Sequence, residues 1–308
     1  MKPITITGII ALLLTASVGC KKSGSSSSSS SDSTGTGSNG ALLTEEILVA
    51  TNSANVTIDS TVTTYSYDGN NNLTGLQQNS SVTDSGASFT TNLTYSMTYS
   101  GNLISGLTGS VAESVVFESK TYSATTQVNT TFQSGGGKIV AYVQKTSTTG
   151  TTVIPTTSET ANDSALLTYN TNGSVATYTV YQLNPLTSTY LLNSQESFTY
   201  SGNNLSQSIN VAYDAGIAVD TFASVYTYDT KLSAAPLYLV PGVAVLSVND
   251  LTQSSVTETG ANPGSVITNY TTTYNAANQP ATSTVTVATT PSNPGAIAKE
   301  TITYTYKN

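Results

Sequence analysis

Cys20 is the residue of this chain whose type and setting point most directly to chemistry. It is the only cysteine among 308 residues, so no disulfide can form within the chain. An exported protein has no structural use for a lone thiol, but lipid acylation gives it one. The residues before it fit that use. Lys2 gives a short positive end, and Ile4 to Val18 is apolar over about 15 residues, too short to span a bilayer as a helix. Ser17-Val18-Gly19-Cys20 resembles a bacterial lipobox, with Ser17 where leucine is usual. The expectation is a lipoprotein signal peptide over residues 1–19 and a lipidated Cys20. The plain alternative is an ordinary secretory peptide with an incidental cysteine.

Other reactive chemistry is scarce. The chain has no His and no Trp, and all nine basic residues are Lys. Without His there is no Ser-His-Asp or Cys-His arrangement, and no His/Cys cluster for zinc. Ser134-Gly135-Gly136-Gly137-Lys138 resembles a phosphate loop only superficially, because it falls where a hairpin turn is due. Paired carboxylates remain, as in glycoside hydrolysis. Glu113 and Glu118 flank an apolar stretch, and Asp214 and Asp220 flank a turn near Gly216. Carboxylates at turns and strand ends are usually solvated, so no catalytic residue is assigned. Asp68-Gly69-Asn70-Asn71-Asn72 lacks the spaced ligands and terminal Glu of a helix-flanked calcium loop. Thr282, Thr284 and Thr286 hint at an ice-binding face, though β-propensity explains them. No metal or cofactor is expected.

Charge excludes further classes. Removal of residues 1–19 takes away Lys2, leaving 17 acidic and 8 basic groups, a difference of −9. Charged residues make up 8% of the chain, against roughly 25% in ordinary globular domains. Nucleic-acid binding needs a basic patch, which this composition does not supply. A basic helix lying on anionic lipid is excluded on the same ground.

The elements that must carry these residues are strands. Thr64-Tyr65-Ser66-Tyr67-Asp68-Gly69-Asn70-Asn71-Asn72-Leu73 reads as strand, tight turn, strand, and versions of it recur. The aromatic before each turn marks the unit: Tyr67, Tyr99, Phe132, Tyr169, Tyr200, Tyr228, Tyr274 and Tyr306. Successive differences are 32, 33, 37, 31, 28, 46 and 32. Such a period signals a repeat architecture of two strands, a tight turn and a longer return. Phe89, Leu93, Tyr95, Met97 and Tyr99 alternate with polar residues, and Leu205, Ile209, Val211 and Tyr213 extend the pattern. Val56, Ile58 and Val62 share one parity and Tyr65 and Tyr67 the other, which predicts a β-bulge between Val62 and Tyr65. Asp-Gly, Ser-Gly-Asn and Asn-Gly supply the positive φ angles of the turns. Return loops are expected over 147–158, 183–189 and 289–296. An apolar insertion between Lys231 and Pro241 fills most of the longest gap, either as a plug over one end or as a loop framing a site.

Three domains follow: the signal peptide, a tether over 20–48 rich in Ser and Gly, and a repeat β domain over 49–308. Leu42 to Val49 is left open between a helical turn and a strand. Tyr-x-Tyr-Asp with Gly-Asn-Leu resembles the tyrosine-aspartate (YD, or RHS-like) repeats. The lipobox resembles that of repeat-bearing lipoproteins of the Bacteroidota. So do Tyr226-Thr227-Tyr228-Asp229, Ser247-Val248-Asn249-Asp250-Leu251 and Thr273-Tyr274-Asn275. This resemblance implies a domain of unknown function described as porin-like, and so a large antiparallel meander. It implies no catalytic residues. It also implies O-glycosylation at sites such as Asp163-Ser164-Ala165 and Asp59-Ser60-Thr61.

The expected fold is all-β, an up-and-down antiparallel meander of about 14 to 16 strands, curved or closed, with Tyr, Leu and Val inward. A lipid-spanning barrel would turn that face outward. The expected function is non-enzymatic: an outer-membrane lipoprotein that binds a glycan or another envelope protein through a row of exposed tyrosines. An outer-membrane pore and a carboxylate-based glycosidase are the alternatives.

Overall fold

The computed structural model describes residues 42–51, 56–84, 87–151, 159–184, 186–234, 237–240, 243–245, 247–260, 263–290 and 299–306. Cys20 and the tether lie outside the described residues.

Sixteen of the described strands form one closed antiparallel barrel. In chain order they are β1 (Leu43–Thr51), β2 (Thr57–Tyr67), β3 (Leu73–Asp84), β4 (Ala87–Ser100), β5 (Leu103–Phe117), β6 (Lys120–Gly135), β7 (Lys138–Thr151), β8 (Glu159–Tyr169), β9 (Val175–Asn184), β10 (Thr189–Ser201), β11 (Asn204–Asp214) and β12 (Ile217–Leu232). A separate two-stranded hairpin follows, β13 (Leu237–Val240) and β14 (Val243–Val245). The barrel resumes with β15 (Asn249–Thr259), β16 (Gly264–Tyr274), β17 (Pro280–Thr290) and β18 (Lys299–Tyr306). β1 pairs with β18, Leu48 opposite Ile302, so the sheet has no open edge there. The segment left open between helix and strand is a strand, and it starts ahead of residue 49.

Alternation fixes the two faces. Leu93, Tyr95 and Met97 are buried, and Thr94, Ser96 and Thr98 between them are exposed. Cross-strand register carries the assignment around the ring, because paired residues share a face. Tyr95 faces inward with Leu76 and Gly109, and Leu93 with Gln78 and Val111. The inward face is Tyr, Leu, Met and Val near the aromatic ends of the strands, where the core cluster lies. The outward face of β4 is Ser, Thr and Asn, and elsewhere the outer wall mixes such residues with apolar ones such as Leu166 and Val225.

Two expectations about parity are corrected. No bulge separates Val62 from Tyr65, and the β2–β3 register runs unbroken from Asp59 to Ser66. Thr61, Thr63 and Tyr65 are the buried side chains, and Val62 takes the outer face. Ile209 and Val211 likewise face outward, paired with Ser197 and Gln195, while Leu205 is buried. The bulges sit instead beside the marker aromatics: at Ser66/Tyr67, Thr98/Tyr99, Thr168/Tyr169, Thr199/Tyr200, Thr227/Tyr228 and Thr273/Tyr274. One extra residue there flips the side-chain period, so the marker and the strand beyond it both place apolar groups inward.

Three of the turns after these bulges share one design. Asp68 N–H donates to the Asn72 carbonyl at 3.0 Å, and Asn71 N–H to the Asp68 carbonyl at 3.1 Å. The Asp68 carboxylate accepts the N–H groups of Asn70 and Asn72. Asn170 and Asn275 open turns with the same backbone pair. In the first of these, Asn71 carries the positive φ of 64°, not Gly69 as expected. The Gly135 turn lies between β6 and β7, as the sequence predicts. Of the expected loop at 147–158, residues 147–151 belong to β7.

Gly109 is required by a close approach. A Cβ there would lie 2.2 Å from the Thr94 carbonyl oxygen and 2.3 Å from the Tyr95 ring. Gly109→Ala is therefore expected to destabilise the barrel by about 1–3 kcal/mol, as overpacking does. Urea unfolding followed by circular dichroism measures this, and an unchanged midpoint would mean that Tyr95 does not lie across Gly109.

Candidate functional site

All even-numbered strands from β2 to β12 run toward the same end of the barrel, where the marker aromatics, the start of β1 and the end of β18 lie. This aromatic end is held by phenol hydroxyls. Tyr67 donates to the Leu43 carbonyl at 2.6 Å, Tyr99 to Leu73 at 2.9 Å and Tyr169 to Ile139 at 2.5 Å. In the last two cases the acceptor follows the preceding turn of the repeat, so each repeat ties the next. Phe132 has no hydroxyl for this role, and the Tyr200 and Tyr306 hydroxyls are buried without a partner. Deeper inside, the Tyr142 and Tyr178 hydroxyls bond each other. Burial pushes the phenols of Tyr142 and Tyr169 up to about 12.

The insertion between β12 and β15 starts and ends at this mouth. Ala234 joins the core cluster, and Ser247 is buried and donates to the Tyr228 hydroxyl at 2.7 Å. Asn204, in the neighbouring turn, accepts the N–H groups of Val248 and Asn249. Tyr274 of β16 closes the base. Its hydroxyl lies 2.8 Å from Asp229 Oδ2, before the insertion, and 2.8 Å from Asp250 Oδ2, after it. A phenol has one proton to donate, and the two carboxyls share it. Burial raises the Asp250 carboxyl, and the neighbouring Asp229 charge adds to it. Lys231 lies over the Tyr274 ring and donates to Asn278 at 2.9 Å.

Away from the aromatic end the inner wall becomes acidic. Glu46, Asp59, Glu113, Asp163, Glu196, Asp220, Glu258 and Glu300 all occupy inward register positions. The described lysines sit at strand ends, except Lys145, which is on the outer wall. Burial is the main cause that raises the carboxyls of Asp59, Glu113, Asp163, Glu196 and Glu300 above their ordinary values. Asp59 Oδ1 and Asp163 Oδ1 have no hydrogen-bond partner.

The nominated carboxylate pairs are not brought together as a catalytic site. Glu113 faces inward at mid-strand, while Glu118 is exposed in the next turn at a φ of 49°. Asp214 is exposed at a hairpin end, and Asp220 is inward opposite Ala212. The pair the fold does converge is Asp229 and Asp250, and the Tyr274 phenol fills the gap between them. Sequence reasoning missed this cluster, although its three residues stand in the Tyr-Asp, Asn-Asp-Leu and Tyr-Asn segments singled out above. The expected row of surface tyrosines is also corrected. Among the tyrosines whose side chains are described, Tyr190 is exposed, at 46%, and the rest, the marker tyrosines among them, are buried or half-buried.

The outer wall carries an open depression of ≈ 640 Å³ across β4 to β7. Ser96, Thr108, Gln127, Asn129, Lys145 and Ser147 are among its lining residues, with Gly109 at its floor.

Fold and site together define a closed sixteen-strand antiparallel barrel with a tyrosine-tied mouth, an acidic interior and a hydroxyl-rich outer wall. No family model matches the chain, and no curated protein matches it. Among solved structures, the chain is similar to a porin-like protein from Bacteroides uniformis. The TM-score is 0.49 at 14% identity, over 86% of this chain and 98% of that chain.

Two predictions follow from the buried acids and the mouth. A carboxyl whose folded-state value is raised holds its proton in the folded chain at a pH where the unfolded chain has lost it. Between the ordinary values (3.8 for Asp, 4.5 for Glu) and the raised ones, stability therefore falls as pH rises. Thermal melts are expected to give a higher Tm at pH 5 than at pH 7.5, and Asp163→Asn should narrow the difference. A Tm that falls on acidification would contradict the burial of these groups. Tyr274→Phe leaves Asp229 and Asp250 without their shared donor, at a cost of about 1–3 kcal/mol. Limited proteolysis should then cut the insertion sooner than in the parent protein.

Proposed function

We propose that this chain is a lipid-anchored protein of the outer membrane whose barrel stands in water and acts as a non-enzymatic binding module. The outer wall carries this reading. A lipid-spanning barrel needs an outward apolar band. Here the outward residues of β4 are Ser88, Thr90, Asn92, Thr94, Ser96 and Thr98, and Leu93, Tyr95 and Met97 of the same strand are inside. The anchor is Cys20, in the lipobox-like setting of the sequence.

The ligand class that fits the outer wall is a glycan. Gln127, Asn129, Thr108 and Ser147 offer amide and hydroxyl groups in the depression, and Lys145 adds one cation. Such groups pair with sugar hydroxyls as both donors and acceptors. This replaces stacking on surface tyrosines. The closed ring of sixteen strands favours a pore as the second reading.

Three measurements test these points. Palmitate labelling should mark the wild-type protein and not Cys20→Ser, and labelling of both would remove the anchor. The mature chain from Lys21 should be a monomer without detergent, and a need for detergent would favour the pore. Binding to an array of bacterial polysaccharides should weaken at least tenfold in the Gln127→Ala/Asn129→Ala double variant. Unchanged binding would place the ligand elsewhere.

A further inference from the structure

A row of outward side chains crosses the depression on the outer wall. Ser96, Thr108, Asn129 and Lys145 stand opposite one another on β4, β5, β6 and β7, and Gln127 stands opposite Ser147 in the next row. All six line the depression. Neighbouring strands lie about 4.8 Å apart, so a row across four of them runs for about 14 Å. Side chains lengthen along it, from Ser96 and Thr108 to Asn129 and Lys145, so an ammonium stands at one end of a strip of amides and hydroxyls. Lys145 differs from everything around it. Away from the mouth and the strand ends, the described acids face inward, and Lys145 alone among the described residues puts a charge on the outer wall. It is exposed, and its cross-strand neighbours are the neutral amides Asn129 on β6 and Asn162 on β8. Asp163 lies one place along β8, opposite Gln144, and so faces the interior instead. No described carboxylate forms an ion pair with Lys145.

Charge decides what can cover this row. A ligand lying over Lys145 takes water from an ammonium. Sugar hydroxyls replace that water but bring no counter-charge, and a cation desolvated without one weakens the complex. A carboxylate brings the charge together with a charge-assisted hydrogen bond. The amides and hydroxyls along the rest of the row pair with sugar hydroxyls as donors and acceptors. The net charge of −8 does not oppose an anion here. The described acids stand inside, at the mouth or at strand ends, and exposed charges more than about 8 Å apart are largely screened at physiological salt. We propose that the depression takes an acidic glycan, held along the row by its hydroxyls and at the β7 end by a carboxylate on Lys145, an inference that rests on reading the depression as a glycan site.

The test measures binding of the purified protein to alginate, polygalacturonate and hyaluronate, each also in a form whose carboxyls have been reduced to alcohols, and to neutral dextran. At least one acidic polysaccharide is expected to bind at least fivefold more tightly than its reduced form, and about 0.5 M salt should remove the difference. Lys145→Gln should bring binding of the acidic form down to that of the reduced form, and Lys145→Arg should restore it. Because Lys145 is exposed on the outer wall, both variants should keep the parent Tm. Equal binding of the acidic and reduced forms overturns the inference, and so does an acidic form that binds Lys145→Gln as tightly as the parent. Dextran or reduced forms that bind, weaken in Gln127→Ala/Asn129→Ala and ignore Lys145→Gln would leave a glycan site and remove the acidic ligand. A protein that binds none of the set loses both readings.

Discussion

A sheet of sixteen antiparallel strands ends in two rows of unpaired N–H and C=O groups unless its first and last strands meet. In this chain they meet along β1 and β18, from Leu43 opposite Tyr306 to Thr51 opposite Lys299. Closure removes both edges and sets an inside and an outside for every residue. It also couples distant sequence. Glu46 and Asp59, from the first two strands, share the interior with Glu300 and Tyr304 from the last. Without the β1–β18 ladder the core side chains would face solvent, and the buried carboxyls would lose the setting that shifts them.

Closure depends in turn on the bulges being in the right place. Side chains alternate with a period of two, and a single extra residue inverts the alternation. Six of the eight marker aromatics follow such an inversion, close to a tight turn. The phenol then lies inward at the mouth and can reach the backbone of the neighbouring repeat, as Tyr99 reaches Leu73. Asp68 and Asn275 set the turn with their own side chains, so the aromatic and the turn residue work as one unit. The insertion uses the same unit. Tyr228, Asp229 and Tyr274 are repeat residues, yet together with Asp250 and Ser247 they hold the base of the extra hairpin.

Much of this was legible in the sequence because it is local. The aromatic spacing, the turn residues and the alternation in β4 each depend on a few neighbouring positions. They were enough to predict an all-β meander of about 14 to 16 strands, curved or closed, with its apolar face inward. Parity across a bulge was not legible. Val62, Ile209 and Val211 look like core by type and sit outside, while Thr61, Thr63 and Ser208 are buried. β-branched residues and threonine suit either face of a pleated sheet, so their identity does not reveal the side. The same ambiguity hid the inner row of carboxylates, since an acid one place along the strand would be solvated. The Asp229–Tyr274–Asp250 cluster was hidden for another reason: it joins positions 24 and 45 residues apart through register alone.

The distribution of charge bears on why the outer wall is built of hydroxyls. An 8% charge content would usually leave a protein of this size poorly solvated. Much of that small supply is spent inside the barrel, where Asp59 and Asp163 keep oxygens without partners. Burying a carboxyl costs stability whenever it is ionised and any of its oxygens lacks a partner. Threonine, serine and asparagine then make up the outward face of strands such as β4, around an ionisable, partly packed interior.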